Sequence, residues 1–399
     1  MRPGDRAEQE GEDMEQAAAV KKKKKKLRRY YDYSLLFTII FLTVFGLIMI
    51  YSSSSYNAQI DGKAPSYYMT RQMYIALVGF AVMLVISKMD YHFFAKFAPL
   101  AVIVSYACMI LVNFTPLGIA RNGKKRWLGY GSFTIQPAEM VKITVILVLA
   151  VIITKLGKQI NEWRSWGMIT VLILPVALMV MMNNLSSGII ICGIAIVMMF
   201  IANKRKWPFV LFITAVAAVI LFAGPVAIAL ENAGILQAYQ LERILVWQNP
   251  EAYPKDGGYQ VLQGLYAIGS GGLLGKGLGQ SIQKLSFLPE PQNDMIFAII
   301  CEELGLFGAI MVIFLFLFMI YRFMRIASSA PDIFGSFLVI GVMAHIAIQV
   351  ILNIAVVTNV IPNTGITLPF ISYGGTSILF LMVEMGIVLS VSNGITLEV

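Results

Sequence analysis

Long apolar runs, separated by short polar segments, extend from about residue 34 nearly to the end of the chain. A helix needs roughly 20 apolar residues to cross the ~30 Å hydrocarbon core of a membrane. The pattern therefore predicts an all-α polytopic membrane protein with ten transmembrane helices. The predicted spans lie at about 34–53, 72–88, 95–114, 136–155, 167–183, 187–203, 208–230, 295–321, 334–357 and 375–394.

Basic residues predict the orientation of these spans. Alternate connections carry the cations, as the positive-inside rule requires of cytoplasmic loops: Lys88, Lys96, Lys155, Lys158, Arg164, Lys204, Arg205, Lys206, Arg322 and Arg325. Residues 1–29 are predicted to be a disordered cytoplasmic tail, acidic and then polybasic, and residues 30–399 to be the membrane domain. The lysine run at 21–26 adjoins a span, so it indicates topology and lipid attraction rather than nucleic-acid binding.

Composition excludes several classes of protein. The chain is 58% apolar and 13% charged, a composition far outside the range of soluble globular domains. Cys108, Cys192 and Cys301 lie within apolar runs and lack disulfide or zinc spacing. With only two histidines, a histidine-rich metal or haem site is not expected, and we predict no organic cofactor.

Three unusual segments fall on the predicted outer face: the loop after span 3, the large loop at 231–294 between spans 7 and 8, and the Pro/Gly segment at 359–377. Proline and glycine interrupt helices, and irregular backbone at membrane depth persists only where it is buried or lines a cavity. The three segments together predict one outward-facing site.

The loop after span 3 places Arg121, Lys124, Lys125 and Arg126 outside, against the topology rule. Such a cluster fits a pyrophosphate or another polyanionic headgroup, and the alternative is a solvated loop. Glu139 and Lys142 follow at helical i,i+3 spacing, so they share a face and neutralise one another, in a substrate cavity or as a structural ion pair.

The stretch "GSGGLLGKGLG" is not a phosphate-binding P-loop, because Ser270 and Gly277 occupy positions where that motif needs glycine and a hydroxyl residue. Close backbone packing, or a phosphate-facing turn with Lys276, is expected instead.

Three carboxylates stand near the start of span 8. Asp294 lies at its mouth, and Glu302 and Glu303 lie inside the apolar run, where charge is costly. Apolar surroundings raise carboxylate pKa values, which suits a general base near neutral pH. For Asp294 the alternative is a helix N-cap.

Four stretches together resemble the SEDS family (shape, elongation, division, sporulation), typified by FtsW and RodA: "LPEPQNDMIFAIICEELGLFG", "IPNTGITLPFISYGGTSIL", "RW…QPAEMVK" and "YQVLQGLYAIGSGGLLGKGLG". The resemblance covers about residues 30–396 and is strongest to the cell-division branch, FtsW. It implies a peptidoglycan glycosyltransferase that polymerises lipid II at the division septum, with a class B penicillin-binding protein and other divisome proteins as partners.

The resemblance also implies residue roles. Asp294 corresponds to the family's essential carboxylate, and Arg126, Glu139, Lys142, Lys276 and Ser372 fall on motif positions. Two departures stand out: residues 183–188 read "NNLSSG" where most members carry an acidic residue, so no role is transferred there, and Ala138 replaces serine.

The expected chemistry is attack of a sugar hydroxyl on a lipid-linked donor, with Asp294 as the base. Arg121, Lys124, Lys125, Arg126 and Lys276, with or without a divalent Mg or Mn ion, would stabilise the undecaprenyl pyrophosphate leaving group. Glu302 and Glu303 would support span 8 or line the cavity. The alternatives are a flippase of the lipid-linked precursor, a scaffold that only recruits the synthase, or the elongation or sporulation paralogue.

Overall fold

The structure, a computed structural model, describes residues 27–121, 124–130, 133–222, 224–225, 244–255 and 257–398. Its helices, in chain order, are α1 (Tyr33–Ile60), α2 (Tyr67–Lys88), α3 (His92–Phe114), α4 (Pro137–Leu156), α5 (Trp163–Met181), α6 (Leu185–Ala202), α7 (Trp207–Leu221), α8 (Gly257–Gly271), α9 (Ile296–Ser329), α10 (Ile333–Val357) and α11 (Ser377–Gly394).

Within these ranges, nine helices are long and apolar enough to cross a membrane. The seventh predicted span corresponds to α7, which has 15 residues and is therefore about 22 Å long. Residue 223 and residues 226–230, its predicted continuation, lie outside the described residues, as does the stretch 231–243 of the predicted large loop. The helical membrane fold is confirmed, and the count of ten spans stays a prediction.

Two small sheets modify the all-α prediction. The loop after α3 forms a three-stranded antiparallel sheet of β2 (Gly118–Arg121), β3 (Lys124–Tyr130) and β4 (Phe133–Ile135). The second sheet pairs β1 (Leu27–Arg29) with β5 (Thr396–Glu398). The sequence assigned residues 27–29 to the disordered tail, whereas they form a strand because the C-terminal segment supplies their backbone partners.

The β1–β5 pair places both described chain ends at one end of the bundle, called here the termini end. Next to it, Asp32 caps α1 by accepting a hydrogen bond from the Leu35 N–H at 2.9 Å. The same carboxylate pairs with Arg322 of α9, Oδ2 to Nη2 2.8 Å, and the Asp32 N–H donates to the Ser392 hydroxyl of α11. One buried acid thus joins three helices.

At the opposite end, called the Asp294 end, α9 is broken at Gly305, where φ is 67° and ψ is −165°. The glycine turn (residues 272–279), which follows α8, fills the break. The N–H groups of residues 276 and 277 donate to the carbonyl oxygens of residues 302 and 303, both at 2.9 Å. In return, the N–H groups of residues 306 and 307 donate to the carbonyls of residues 272 and 273. The turn therefore satisfies the backbone groups that the break leaves unpaired.

Glycine is required where the two backbones meet. Gly275 has φ 78°, and a Cβ there would lie 2.2 Å from the Glu303 carbonyl oxygen. A Cβ on Gly271, at the end of α8, would lie 1.9 Å from the Cys301 carbonyl oxygen. Close backbone packing, one of the two uses expected for this glycine-rich stretch, is confirmed.

We expect Gly275→Ala to lower the melting temperature of the detergent-solubilised protein more than Gly272→Ala does. Both glycines have positive φ, which costs an alanine about 1–2 kcal/mol. Only at Gly275 would the Cβ also collide with backbone, since nothing lies within 4 Å of a Cβ on Gly272. Equal melting temperatures for the two variants would contradict this account.

Candidate active site at the Asp294 end

Asp294 lies in the turn directly before α9, and its side chain is half-buried. The helix begins at Ile296 with Met295 as its N-cap residue, and no side chain of the described residues caps it. A cap must accept a hydrogen bond from a helix N–H, and the neighbouring Asn293 Oδ1 accepts none among the described residues, while its Nδ2 donates to the Glu290 carboxylate. The capping alternative for Asp294 is therefore wrong, and its carboxylate is left for another use.

The Asp294 carboxylate faces the Pro/Gly segment. A Cβ built on Gly365 would lie 3.7 Å from Asp294 Oδ2. In the described part of the chain, the backbone N–H of Asp294 itself donates a hydrogen bond to this carboxylate, and no residue other than Asp294 does. Burial raises the pKa of Asp294 to about 6, its own backbone N–H lowers it, and the charge of Glu290 raises it further. A carboxylate with these properties is ionised at neutral pH and accepts a proton readily.

Glu302 and Glu303 have a different environment from Asp294, since both are fully buried and ion-paired. Glu302 Oε1 lies 2.7 Å from Lys276 Nζ, and Glu303 Oε1 lies 2.9 Å from Lys284 Nζ. The Ser52 hydroxyl of α1 also donates to Glu303, at 2.7 Å. Both carboxylates thus fix the chain between α8 and Asp294 onto α9, and neither side chain is exposed to a cavity.

Lys276 has a structural contact that the sequence did not predict. Its ammonium lies 2.7 Å from Glu302 Oε1 and donates to the Ser270 hydroxyl at 2.9 Å. A fully buried carboxylate requires a cation close by. Binding of substrate by Lys276 stays a prediction.

The basic cluster lies on the three-stranded sheet. Lys124, Lys125 and Arg126 open β3, and Arg121 ends β2 with its side chain outside the described residues. Arg126 Nε donates to the Asn183 carbonyl at 2.8 Å. Lys125 is exposed. A small crevice beside the sheet is lined by Met109, Val112, Lys125, Arg126, Gln136, Ala138, Val180, Asn183 and Asn184.

The turn between α5 and α6 connects this sheet to Asp294. Arg126 binds Asn183 of this turn, and in the first turn of α6 the Ser186 hydroxyl donates to the Thr364 carbonyl at 2.6 Å. Thr364 precedes Gly365, the residue beside the Asp294 carboxylate. The "NNLSSG" stretch, to which no role was transferred, thus joins the arginine-bearing sheet to the Pro/Gly segment.

Asn184 explains how this stretch folds without an acidic residue. Its side-chain Oδ1 accepts a hydrogen bond from the Ser187 N–H at 3.2 Å and so caps α6. Asparagine and aspartate are both favoured N-caps, so the helix start is preserved.

The ion pair predicted from i,i+3 spacing is present in α4. Lys142 Nζ lies 3.0 Å from Glu139 Oε2, and both side chains are buried. Ser377, the first residue of α11, donates to Glu139 at 3.0 Å, and Lys142 donates to Gln349 of α10 at 3.3 Å. The pair therefore joins three helices, and any contact with substrate stays a prediction.

Ser372, another motif position, serves a local turn in the Pro/Gly segment. Its hydroxyl accepts from the Leu368 N–H at 2.7 Å, and its own N–H donates to the Leu368 carbonyl at 3.0 Å. Ser372 is buried, and its predicted role in substrate binding stays a prediction.

Sequence reasoning missed four buried polar residues of α10 and α11. His345, Gln349 and Asn353 are 1%, 3% and 0% exposed, and Glu384 is 1% exposed. The signal was available, because the first three recur every fourth residue within an otherwise apolar span and so share one helix face.

The described residues contain no group of three or more His, Cys, Asp or Glu side chains that would hold a metal ion. A Mg²⁺ ion needs fewer protein ligands when a substrate phosphate supplies oxygens, so a single carboxylate such as Asp294 is compatible with one.

These features define a polytopic helical membrane protein in which two irregular segments meet at Asp294, a carboxylate that no other described residue pairs. The chain belongs to the FtsW/RodA/SpoVE family, whose model, described as "Cell cycle protein", matches residues 33–396.

Relatives of known name match almost end to end. Stage V sporulation protein E of Bacillus subtilis is 39% identical over 362 residues, covering 90% of this chain and 96% of the relative. A protein of Trichlorobacter lovleyi named probable peptidoglycan glycosyltransferase FtsW is 36% identical over 369 residues, covering 92% and 94%. The FtsW-named protein of B. subtilis is 36% identical over 367 residues, covering 91% and 90%.

Two solved structures share the fold. A chain from a peptidoglycan synthase complex aligns with a TM-score of 0.74 and 23% identity, covering 91% of this chain and 97% of that one. RodA of Thermus thermophilus aligns with a TM-score of 0.65 and 21% identity, covering 91% and 96%.

Removing one partner of the Glu139–Lys142 pair should strongly destabilise the protein. We expect Lys142→Met to cost about 3–5 kcal/mol, because it leaves a buried carboxylate unpaired. The double variant Glu139→Gln/Lys142→Met should recover much of that loss, as read from melting temperatures in detergent.

The exposed Lys63–Asp61 pair, Nζ to Oδ2 3.0 Å, provides the matched control. Lys63→Met should leave the melting temperature almost unchanged, since solvent screens exposed pairs. A similar loss for Lys63→Met and Lys142→Met would contradict the argument from burial.

Proposed function

We propose that this protein is a peptidoglycan glycosyltransferase that polymerises lipid II on the outer face of the cytoplasmic membrane. Two of the relatives described above bear the name probable peptidoglycan glycosyltransferase. The observation that carries the proposal is the Asp294 carboxylate, unpaired by other described side chains and placed beside Gly365, where the irregular segments meet.

Asp294 acts as the general base. It takes the proton of the 4-hydroxyl on the acceptor GlcNAc while that oxygen attacks the anomeric carbon of the donor MurNAc. The bond from this carbon to undecaprenyl pyrophosphate breaks, and the leaving group carries away the bonding electron pair. One carboxylate suffices because pyrophosphate is a good leaving group and needs no general acid, unlike the leaving groups of most glycoside hydrolases.

The cations of the sheet stabilise the negative charge that develops on the pyrophosphate. Lys124, Lys125 and Arg126 of β3, with Arg121 at the end of β2, are the candidates. Arginine binds phosphate oxygens in a planar, bidentate geometry. A divalent Mg or Mn ion held mainly by the substrate phosphates would supply further positive charge there.

A cross-linking enzyme is the expected partner, of the class B penicillin-binding type. The related synthase complex is described as coordinating polymerization and crosslinking. Both termini are expected in the cytoplasm, because the basic residues of alternate loops follow the positive-inside rule. Because the chain resembles FtsW, the expected location is the division septum, with divisome proteins as partners. A role in sporulation is the alternative, since one relative is a stage V sporulation protein.

Asp294→Asn should abolish polymerisation, because an amide cannot accept the proton. The assay combines purified protein, its cross-linking partner and lipid II, and resolves glycan strands on a gel. The control is Asp61→Asn, which removes an exposed carboxylate and should keep activity. If the wild-type protein scrambles lipid II across liposomes but forms no polymer, transport replaces the proposed activity.

The polymerisation rate should fall as the pH drops through about 6, the pKa of Asp294. A base works only when ionised, so activity is present above this pKa and is lost below it. Because the charge of Glu290 raises the pKa of Asp294, Glu290→Gln should move the acidic limb of the pH–rate profile to lower pH. An acidic limb that stays in place in Glu290→Gln would argue against Asp294 as its source.

A further inference from the structure

Helix α10 carries a stripe of three buried polar side chains, His345, Gln349 and Asn353, called here the α10 polar stripe. At 1.5 Å per residue the stripe spans about 12 Å along one helix face. Polar groups at membrane depth are costly and mark functional or structural contacts. Asn353 contacts the Asp294 backbone directly, and Gln349 and His345 connect to it through the Pro/Gly segment and through one another.

Asn353 joins the two segments that meet at the carboxylate. Its Nδ2 donates to the Asp294 carbonyl at 2.9 Å and to the Ile366 carbonyl at 2.6 Å. Ile366 follows Gly365, which lies beside the Asp294 side chain. The Asn353 Oδ1 has no hydrogen-bond partner among the described residues. Two acceptor carbonyls therefore fix the orientation of the amide, since the reversed amide would place oxygen against oxygen.

Gln349 holds the next carbonyl of the same segment. Its Nε2 donates to the Thr367 carbonyl at 3.0 Å, and its Oε1 accepts from Lys142 Nζ and from the His345 ring. Consecutive carbonyls of the Pro/Gly segment, at Ile366 and Thr367, are thus both bound by α10. This double attachment sets the register of the segment against the helix.

His345, one helical turn before Gln349 in α10, fixes the Gln349 side chain. One ring nitrogen lies 2.8 Å from Gln349 Oε1, and the other lies 2.8 Å from a carboxylate oxygen of Glu384. The ring therefore bridges Gln349 of α10 to the Glu384 carboxylate of α11. The pair holds the Gln349 oxygen toward His345 and Lys142.

We propose that Asn353 is a positioning residue for Asp294, and that the rest of the α10 polar stripe holds the Pro/Gly segment in register for it. The proposal rests on the proposed function, in which Asp294 is the base. Asp294 lies in the turn directly before α9, and the Asn353 amide binds its carbonyl oxygen from a different helix. Misplacement of a reacting group by about 1 Å costs on the order of 10²-fold in rate.

The first test compares Asn353→Ala with Asn203→Ala. Asn203 is also a buried asparagine whose Nδ2 donates to a backbone carbonyl, that of Met199 at 2.9 Å, but it lies at the termini end. Both variants should lose melting temperature. Only Asn353→Ala should lose kcat in the polymerisation assay, about 10- to 100-fold, with KM for lipid II changed less than about twofold.

The second readout is the pH–rate profile. When Asn353 no longer holds its backbone, the Asp294 carboxylate gains contact with water, and burial is the main cause that raises its pKa. The acidic limb of Asn353→Ala should therefore lie at lower pH than that of the wild type. Glu290, the charged neighbour of Asp294, is still present in this variant, so a change in its charge does not cause the shift. General loss of stability would leave this limb in place.

Asn353→Asp covers the case in which the alanine variant does not fold. It keeps the shape of the side chain but offers at most one donor, so it cannot hold both carbonyls, and kcat should again fall. The proposal is overturned if a folded variant at this position keeps wild-type kcat and acidic limb. A wild-type protein without polymerase activity would overturn the proposed function, and this proposal with it.

Discussion

Two adjacent carboxylates inside an apolar helix, Glu302 and Glu303, are the constraint on which the Asp294 end depends. Each needs a cation and hydrogen-bond donors at a depth where water does not supply them. Lys276 and Lys284 provide the cations, and both come from the chain between α8 and Asp294. Neutralising the two acids therefore folds that chain onto α9. The break at Gly305 completes the attachment by exchanging backbone hydrogen bonds with the glycine turn.

Asp294 is distinguished from these acids by what it lacks. Glu302 and Glu303 are each bound by a lysine and by several hydrogen-bond donors, so they serve as structural groups. Asp294 receives only its own backbone N–H among the described residues, and burial raises its pKa to about 6. The three carboxylates within ten residues thus have two roles. Glu302 and Glu303 attach the preceding chain to α9, and Asp294 is available to accept a proton.

The sequence predicted much of this site, with particular failures. Spacing alone predicted the Glu139–Lys142 pair, because i,i+3 residues on a helix are neighbours wherever the helix lies. Spacing did not predict that Lys276 would be used by Glu302, because that contact joins an irregular turn to a helix 26 residues later. Nor did it predict the bridge from Arg126 through the α5–α6 turn to Thr364, which depends on how three separate segments pack.

The length of the apolar runs determined the class of protein and the approximate spans, and the distribution of charge predicted the face on which the unusual segments gather. These properties are local, since the bilayer requires each apolar run to satisfy its own backbone as a helix. Tertiary structure alone decided which carboxylate has no partner among the described residues and which cations are used for structure. It also decided that one face of α10 binds both the Asp294 carbonyl and the Pro/Gly segment. Those outcomes depend on contacts between residues far apart in the chain, whose geometry no local pattern contains.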